Sequence, residues 1–411
     1  MDVLILSHYY DPEPIPKAGE LARALTQRGH SLSVITGFPN YPTGKLYDGW
    51  HLSLVSRRRD DGGFPVVRTF QYPYHGRSVL GRLANYLSFM ATAPLGALFT
   101  SRCDVIYVWH PPLTIGIAAW LIARLKHAPF IYDVQDIWPE SALLSGMLRD
   151  GLLVRIISRV ERFVYSKADH LICVTEGARQ NLIGKGVDPE KLTVLPHWVD
   201  EREFVLPDRA AARARVREQF GWGTKFVLMF AGNIGLVQGL ETVIEAAQLL
   251  AEEENLLVAI VGDGSDRERL IGLVREKNVA AVQFVDRQPS SSMPALMAGA
   301  DALLVHLRNS QISNWVVPSK TMAYLASGKP IVMAMEGAAA DLTREAGAGV
   351  VVPPENARAL AEALRELARM SEEERDAMGR RGREYLERNL SKQVVIDRYE
   401  QLLHLVASRG R

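Results

Sequence analysis

Short apolar runs alternate with amphipathic segments along the first half of the chain. The apolar runs lie at 3–6, 32–35, 66–68, 105–108, 130–134 and 171–174. Segments with apolar residues at helical spacing lie between them, at 20–27, 80–100, 114–125, 152–166 and 177–183. This alternation predicts a parallel α/β sheet whose strands are joined by helical crossovers.

The same alternation then begins again. Apolar runs occur at 226–230, 257–261, 282–285, 302–305, 331–334 and 349–352. Helical spacing occurs at 240–252, 266–277, 294–299, 319–327, 341–346 and 357–369. A highly charged helix is predicted at 372–388, and a final helix with one apolar side at 392–407.

The stretch 195–208, with its prolines and clustered charges, separates the two series and is typical of a linker. We therefore predict the α/β class, with two Rossmann-like, doubly wound parallel-sheet domains facing a cleft. The first domain is expected at 1–196, the linker at 197–208 and the second domain at 209–390. The C-terminal helix, 391–411, is expected to pack back on the first domain. In such sheets ligands bind outside the carboxyl ends of the strands.

The second series opens with a strand, a glycine loop and a helix. The apolar run 226–230 is followed at once by Gly232, Gly235 and Gly239, and then by apolar residues at helical spacing. This arrangement aims free backbone N–H groups at an anion. A tight turn without a ligand would produce the same pattern, so the motif needs support from the rest of the chain.

Composition limits the class of protein. The chain has 411 residues, 47% of them hydrophobic and 23% charged, with a formal net charge of +1. These values are ordinary for a globular enzyme and indicate no bulk attraction to nucleic acid. The two cysteines, the absence of a signal-peptide pattern and the shortness of the apolar runs favour a cytoplasmic protein.

Several ordered motifs resemble one enzyme family over essentially the whole chain. They are Arg28-Gly29-His30, residues 168–176 (ADHLICVTE), residues 195–200 (LPHWVD), Val261-Gly262-Asp263-Gly264, and residues 317–330 (VPSKTMAYLASGKP). Each motif is weak alone, but the ordered set is specific. The chain resembles the family 4 retaining glycosyltransferases of the GT-B fold. Within them it is similar to bacterial surface-polysaccharide enzymes, the N-acetylfucosaminyl transferases, which implies a role in polysaccharide or lipopolysaccharide synthesis.

The resemblance implies a nucleotide-sugar donor held mainly by the second domain and an acceptor held mainly by the first. It implies neither a metal nor a cofactor. A nucleoside diphosphate gains negative charge as it leaves, so the protein must supply preset hydrogen-bond donors. The candidates are the loop with Gly232, Asn233 and Gly235, and the predicted helix start at Ser319 and Lys320.

The sequence departs from the family pattern in three ways. The usual basic residues of the glycine loop are replaced by Asn233 and Gln238, which donate hydrogen bonds but carry no charge. The expected pair of glutamates falls on Trp315 and Ala323. We therefore hypothesise that Lys320 supplies the missing cation, with Arg308 as a weaker candidate.

Four further residues complete the predicted donor site. Gly262 and Gly264 match the nucleotide-side loop of the family, although a turn in which Asp263 caps the next helix would explain them too. Arg287 aligns with the segment that borders the base. Gly19 remains where relatives often have paired glycines, and a glycine there lets backbone approach the phosphate.

The first domain is expected to supply the acceptor side. Gln135 occupies the place of a histidine found in many family members. The candidate catalytic residues are therefore Asp136, Glu140 and, as a secondary candidate, His110, all expected at the carboxyl ends of strands. A turn-capping Asp136, a solvated Glu140 and a structural His110 are the alternatives.

Retention of the anomeric configuration requires either a covalent enzyme intermediate or attack by the acceptor on the face from which the leaving group departs. No residue is an evident nucleophile, so the front-face route is favoured. A nucleotide-sugar 2-epimerase of the same architecture is the alternative function. A dinucleotide oxidoreductase is disfavoured, because no Gly-x-Gly-x-x-Gly follows the first strand.

The helix predicted at 80–100 could contact a membrane. Arg77 and Arg82 flank apolar and aromatic residues, namely Leu83, Tyr86, Leu87, Phe89 and Met90. Such a helix can lie in a bilayer interface, and it can equally pack on the sheet. The expected partners are a nucleotide-sugar donor, a glycan or polyprenyl-diphosphate-linked acceptor and a membrane surface on the inner face of the cell, with no nucleic acid.

Overall fold

A computed structural model describes residues 1–76, 78–144 and 151–409. It divides into two units, which we call the first lobe, Met1–Leu195 with Ile396–Arg411, and the second lobe, Pro196–Val395. Each lobe has its own sheet.

The first lobe contains an eight-stranded sheet in the order β3-β4-β2-β1-β5-β6-β7-β8. All neighbours are parallel except β3 and β4, which pair antiparallel at one edge. The strands are β1 Asp2–Ser7, β2 Ser31–Thr36, β3 Val55–Arg59, β4 Pro65–Thr69, β5 Val105–Trp109, β6 Phe130–Val134, β7 His170–Cys173 and β8 Leu192–Val194. Its first six helices are α1 Lys17–Gln27, α2 Val79–Ala97, α3 Ile115–Lys126, α4 Glu140–Leu144, α5 Leu152–Lys167 and α6 Glu176–Gly184.

The second lobe contains a six-stranded parallel sheet in the order β11-β10-β9-β12-β13-β14. This is the 3-2-1-4-5-6 order of the Rossmann fold. The strands are β9 Phe226–Ala231, β10 Leu256–Val261, β11 Val282–Val285, β12 Ala302–His306, β13 Ile331–Ala334 and β14 Gly349–Val352. The helices are α7 Arg209–Phe220, α8 Glu241–Leu249, α9 Arg267–Glu276, α10 Met293–Gly299, α11 Ser319–Ser327, α12 Ala338–Glu345, α13 Ala357–Arg369 and α14 Glu372–Asn389. A last helix, α15 Lys392–Arg409, belongs to the first lobe from Ile396 onward.

Strand β9 shows why its sequence is an unbroken apolar run. Phe226, Leu228 and Phe230 pack into the core on one face of the sheet. Val227 and Met229 pack into the core on the other face. Because successive side chains of a strand point to opposite faces, a strand covered on both sides must be apolar at every position.

Four elements were not predicted from the sequence, namely β3, β8, α4 and α7. Strand β3 was not predicted, because its residues Arg57–Arg59 are polar and exposed at the sheet edge. Helix α7 was not predicted either, because it buries only Val216. Its ends follow local rules, since the Asp208 side chain accepts from the Ala211 N–H and Gly221 ends the helix with φ of 67°.

Helix α2 has two different faces. Phe89 is fully buried, and its ring centroid lies 5.0 Å from that of His8. The opposite face is an exposed apolar stripe, which we define as Leu80, Leu83, Ala84, Leu87, Ala91, Leu95 and the adjoining Leu98. Arg77 lies outside the described residues. None of the described helices has the length and apolar character needed to cross a membrane.

Candidate functional site

A cavity of about 710 Å³ lies in the second lobe. It is lined by the glycine loop after β9 and by the start of α11, the first α-helix after β12. Strands β9 and β12 are neighbours in the sheet although they are not consecutive, so the strand order reverses between them. Doubly wound sheets bind ligands at this switch point.

The cavity brings together seven of the predicted donor-binding residues, which come from four separate segments of the chain. They are Gly232, Asn233, Gln238, Gly262, Arg287, Ser319 and Lys320. The other lining residues are Ala231, Val261, Asp263, Gln288, Ser290, Met293, Met297, Pro318, Ala323 and Tyr324. Asp263 is the one carboxylate among these residues. The lining therefore combines backbone amides and neutral donors with two cationic side chains.

Gly262 and Gly264 let the loop after β10 pack directly on the loop after β9. Gly262 has φ of 141°, and a Cβ there would overlap the carbonyl oxygen of Gly232. A Cβ on Gly264 would overlap the backbone of Ile234. The Ile234 N–H donates to the carbonyl of Asp263 at 2.9 Å, which joins the two loops. Gly264 and Gly235 are not among the lining residues, so Gly264 acts here through packing.

Lys320 projects its ammonium group into the cavity. Nζ lies 3.6 Å from the centroid of the Phe230 ring and 3.5 Å from Oε1 of Gln238. Burial lowers the pKa of Lys320 to about 7. Gly232, with φ of 142°, leaves room for this side chain, because a Cβ there would lie 3.2 Å from Nζ. Within the described part of the chain this ammonium pairs with no carboxylate, and a cation with an aromatic face behind it is suited to an anionic ligand.

Tyr324 was not singled out from the sequence, yet it positions Lys320. Its hydroxyl group accepts from the Ala231 N–H at 3.0 Å, and its ring is fully buried. This contact ties α11 to the end of β9, so that the start of the helix lies beside the glycine loop. The available sequence signal was an aromatic residue one helical turn after Lys320.

The first turn of α11 supplies backbone donors. Pro318 precedes the helix, and its side chain cannot cap it. The early N–H groups of a helix have no intrahelical partner, and the helix dipole there favours negative charge. Ala323, at one of the missing glutamate positions, also lines the cavity.

Arg287 lines the cavity with an exposed side chain, whereas Arg308 does not line it. The Arg308 guanidinium pairs with Glu241 and Glu355, and its Nε donates to the carbonyl of Leu236 at 2.8 Å. Arg308 therefore stabilises the glycine loop through contacts that lie outside the cavity.

In the first lobe the strand order also reverses, between the neighbouring strands β1 and β5. Two histidines lie at this switch point. His8 follows β1, and its Nε2 lies 2.9 Å from Oδ1 of Asn85. His110 follows β5, and its Nδ1 accepts from the Gln135 N–H at 3.4 Å. Burial lowers the pKa of each imidazole to about 3. Both histidines are therefore neutral near pH 7.

The predicted carboxylates differ in their surroundings. Asp136 lies just beyond β6, and burial raises its pKa above the ordinary value. Glu140, at the start of α4, accepts from Nζ of Lys185 at 2.8 Å, and this ammonium also contacts Glu161 at 2.8 Å. Glu140 is thus part of a partly buried ion-pair cluster. Asp136 has the environment expected of a general base.

Gly19 lies in the first turn of α1, in the first lobe. A Cβ there would overlap the carboxylate of Asp11 and approach the Arg23 guanidinium. Arg23 and Asp11 form an ion pair at 2.7 Å. The missing side chain leaves room for this pair, and donor binding by Gly19 stays a prediction.

Asp133 is a fully buried carboxyl group of the first lobe that the sequence did not single out. Its Oδ2 accepts from the hydroxyl groups of Tyr107 at 2.5 Å and Tyr399 at 3.1 Å, and its Oδ1 accepts from Gln135 at 2.6 Å. Burial raises the pKa of Asp133 to about 6. Through Tyr399, this carboxylate anchors α15 to the end of β6.

Comparison with known proteins agrees with this architecture. The family model for the Glycosyl transferase 4-like domain matches residues 15–198, and the model for Glycosyl transferases group 1 matches residues 212–385. The crystal structure of Anabaena Alr3699/HepE in complex with UDP superposes with a TM-score of 0.72 at 16% identity, covering 98% of this chain and 100% of that one. The two lobes thus have the GT-B fold of glycosyltransferases.

Two relatives resemble the chain over most of its length. The putative colanic acid biosynthesis glycosyl transferase WcaI of Escherichia coli (strain K12) is 30% identical, over 97% of this chain and 98% of the relative. The probable glycosyltransferase WbjE of Pseudomonas aeruginosa is 28% identical, over 88% and 94%. The chain belongs to this family of glycosyltransferases, which joins a family 4-like domain to a group 1 domain.

Proposed function

We propose that the protein is a retaining, metal-independent glycosyltransferase. It transfers a hexosyl or N-acetylamino sugar from a nucleotide-diphosphate sugar to a glycan or polyprenyl-diphosphate-linked acceptor in surface polysaccharide synthesis. The observation that carries this proposal is the switch-point cavity of the second lobe. There the glycine loop, the start of α11 and Lys320 line one space.

The chemistry of the cavity fits a diphosphate. The leaving diphosphate gains charge as the glycosidic bond breaks, and preset donors stabilise that charge without reorganisation. Lys320 takes over the role of the basic residues that Asn233 and Gln238 replace. Magnesium sites usually include one or two carboxylates together with the phosphates, and Asp263 is the only carboxylate in the lining. This donor set favours charge neutralisation by Lys320.

The named relatives support the donor and pathway classes. HepE was solved with UDP, WcaI is named for colanic acid biosynthesis, and WbjE is named as a glycosyltransferase. We infer a uridine diphosphate sugar as the first donor to test. Arg287, exposed at the cavity wall, is the candidate residue on the side of the base.

On the acceptor side we assign the leading role to Asp136. Its raised pKa suits a group that accepts a hydrogen bond from the acceptor hydroxyl and senses the developing positive charge of the sugar. His110 is neutral and buried, so it acts as a hydrogen-bonding group. Glu140 has a supporting role through its pairing with Lys185. The acceptor hydroxyl attacks on the leaving-group face, and its proton passes to the departing phosphate oxygen.

A thermal-shift screen tests the donor site. A ligand that binds only the native state raises the unfolding midpoint. We expect UDP and its sugars to raise the midpoint of the wild type and of Lys225→Ala, a matched control at the opposite end of β9. Lys320→Ala should reduce donor affinity about 10–100-fold, since hydrogen bonds to charged groups contribute about 1.5–3 kcal/mol. Equal affinity in Lys320→Ala and Lys225→Ala would remove Lys320 from the site.

An acceptor-free assay separates transfer from epimerisation. A 2-epimerase converts its nucleotide sugar without an acceptor, whereas a transferase leaves the donor configuration unchanged. Proton NMR of the donor during incubation distinguishes the two. With an acceptor present, the anomeric coupling constant of the product reports retention directly, and an inverted product would contradict the front-face route.

We further propose that the exposed stripe of α2 contacts the bilayer that carries a lipid-linked acceptor. Leu80 is 78% exposed and Leu98 is 69% exposed, at opposite ends of a stripe that contains no charged residue. Single exposed leucines are common, but a stripe along a whole helix marks an interaction surface. The buried Phe89 face holds the helix on the lobe while the stripe stays available.

Sedimentation with anionic liposomes tests the contact. The double variant Leu80→Asp/Leu87→Asp should lose most of the binding, because both substitutions place charge in the interface. Leu249→Asp, at a singly exposed leucine of the second lobe, is the control and should bind like the wild type. Charge reversal at Arg77 and Arg82 should weaken binding to anionic vesicles more than to neutral ones.

A further inference from the structure

One group of three side chains among the described residues combines imidazole and carboxylate donor atoms at a spacing close to that of a metal site. The group consists of His30, Glu400 and His404, whose ligand atoms lie within 4.8 Å of one another. Nε2 of His30 is 2.7 Å from Oε1 of Glu400. The ring centroids of His30 and His404 are 5.5 Å apart. All three residues belong to the first lobe.

Two rigid elements present these side chains. His30 follows the end of α1, where Gly29 has φ of 85° and the His30 N–H donates to the Leu25 carbonyl at 3.1 Å. This is the Schellman arrangement, which fixes the backbone just after a helix. Glu400 and His404 are four residues apart on α15, so they lie on the same helix face.

The surrounding charged groups leave one carboxylate oxygen of Glu400 directed at His30. Arg28 pairs with Asp397 and with Oε2 of Glu400, each at 2.5 Å, so Oε1 remains directed at His30. The two carboxylates are balanced by the Arg28 guanidinium and the amino group of Met1, so these charges sum to zero. The amino group of Met1 lies 3.4 Å from Nδ1 of His30, so Nε2 is the nitrogen that faces Glu400.

We propose that His30, Glu400 and His404 bind one zinc ion, with water as the fourth ligand. Two imidazoles and a carboxylate form a ligand set that zinc favours. Ligand atoms around tetrahedral zinc are about 3.5 Å apart, given bonds of about 2.0–2.2 Å. The exposed His404 side chain must therefore move by about 1 Å. The ion replaces the hydrogen bond between His30 and Glu400 and links α15 to the end of α1.

The competing explanation is an ordinary ion pair between His30 and Glu400, with His404 only packing nearby. Zinc titration of tag-free, chelator-treated protein by calorimetry separates the two. We expect one ion per chain, and Co²⁺ in place of zinc should give the intense visible absorption of a tetrahedral site. Zinc at about 100 times its dissociation constant should raise the unfolding midpoint of the first lobe by several degrees.

Matched histidine variants localise the site. His404→Ala should weaken zinc binding about 10–100-fold or more, because one ligand is lost. His51→Ala, at an exposed histidine of the same lobe, should bind zinc like the wild type. Affinity should also fall as the pH is lowered from 8 to 6, because protons compete for the ligands.

Two results would overturn the proposal. One is an absence of micromolar zinc binding together with a Co²⁺ spectrum like that of the free ion. The other is equal zinc affinity in His404→Ala and His51→Ala. The metal-free unfolding midpoint of His404→Ala shows whether the variant is folded, and Glu400→Gln provides a second ligand deletion. None of these outcomes depends on the donor cavity, so failure here leaves the proposed function untouched.

Discussion

The two lobes share the strand order around their first strands, β1 and β9, but carry different chemistry at that topological position. In the second lobe the loop after β9 is Gly232-Asn233-Ile234-Gly235, and it presents backbone to the cavity. In the first lobe the segment after β1 is HYYDPEPIPK, residues 8–17, which presents rings, prolines and carboxylates. Glycine permits close approach of backbone to a ligand, whereas bulky residues must act through their side chains.

The electrostatics at the two switch points differ in the same way. Lys320 gives the second-lobe cavity a cation that pairs with no carboxylate among the described residues, which suits a diphosphate. The first lobe holds neutral histidines after β1 and β5, and carboxyl groups within and just beyond β6 whose pKa values are raised by burial. That combination suits the neutral acceptor hydroxyl group of the proposed transfer. Under that proposal, one fold holds a donor and an acceptor at equivalent positions by changing mainly the loops.

The largest effect should come from Gly262→Ala. Its Cβ would overlap the Gly232 carbonyl, and φ of 141° is unfavourable for alanine, so the two loops must separate. We expect donor binding to be lost and the second lobe to be destabilised by about 1–3 kcal/mol. Calorimetric unfolding and a UDP thermal shift measure both effects.

The control for this variant is Gly272→Ala in α9, where a Cβ meets nothing within 4 Å. It should be neutral or stabilising by about 0.4–1 kcal/mol, because alanine favours a helix. If Gly262→Ala retained wild-type donor affinity, the glycines of this loop would have no part in shaping the cavity.

Much of this architecture is predictable from the sequence, because buried parallel strands must be apolar at every position. The runs that became β9, β10 and β12 are examples. The glycine loop was predicted from the pattern of strand, loop and helix, and Lys320 from the basic residues that the family has and this chain lacks. Residues whose roles depend on contacts distant in sequence were not identified. Tyr324 positions α11 through a hydrogen bond to Ala231, and Asp133 is surrounded by groups from β5 and α15.

Gly264 and Glu140 show a second limit of the sequence. Both were predicted in the site from the family motif and the strand ends. In the structure, Gly264 faces the Ile234 backbone and Glu140 pairs with Lys185. The sequence does not distinguish a glycine that is needed for loop packing from one that is needed for ligand binding. A solvated carboxylate and a paired one also look alike until the partner is brought near by the fold.

The next largest effect should distinguish the role of the first lobe from that of the second. Asp136→Asn removes the carboxylate that we propose accepts a hydrogen bond from the acceptor hydroxyl, but it leaves the second-lobe cavity intact. We expect kcat to fall about 10–100-fold, because a hydrogen bond to a charged group contributes about 1.5–3 kcal/mol, while donor affinity stays unchanged. Steady-state kinetics with varied donor and a UDP titration measure the two quantities. A parallel loss of donor affinity would contradict the division of roles between the lobes.

The pH dependence of donor binding tests whether the charge on Lys320 contributes to donor affinity. Burial lowers the pKa of its ammonium from 10.5 to about 7, so the free lobe loses this charge above neutrality. A bound diphosphate favours the charged form, and binding therefore takes up a proton. Donor affinity should fall with rising pH above 7, by up to about tenfold per pH unit.

Lys320→Arg is the matched variant for this titration. Its guanidinium stays charged throughout, so its donor affinity should be nearly flat between pH 7 and 9. Calorimetry with an intact sugar nucleotide avoids the titration of a terminal phosphate. The same slope in the wild type and in Lys320→Arg would show that another group is responsible.

The smallest effect on donor binding and catalysis is expected at the anchor of α15 in the first lobe. Tyr399→Phe removes one of three hydrogen bonds to the buried Asp133 carboxylate and should lower the free energy of unfolding by about 1.5–3 kcal/mol. Tyr72→Phe, at an exposed tyrosine of the same lobe, is the control and should be neutral. The midpoint of the first-lobe transition in calorimetry measures both variants.

The pH dependence of this loss identifies its cause. The pKa of Asp133 is raised to about 6 by burial, and the Tyr399 hydroxyl opposes that rise by stabilising the ionised form. The folded state therefore holds its proton more tightly than the unfolded state between pH 4 and 6, and the ionised, costly form prevails above pH 6. The destabilisation by Tyr399→Phe should be larger at pH 8 than at pH 5. An equal loss at both pH values would mean that the hydroxyl acts through packing alone, and the carboxylate would not be the anchor of the helix.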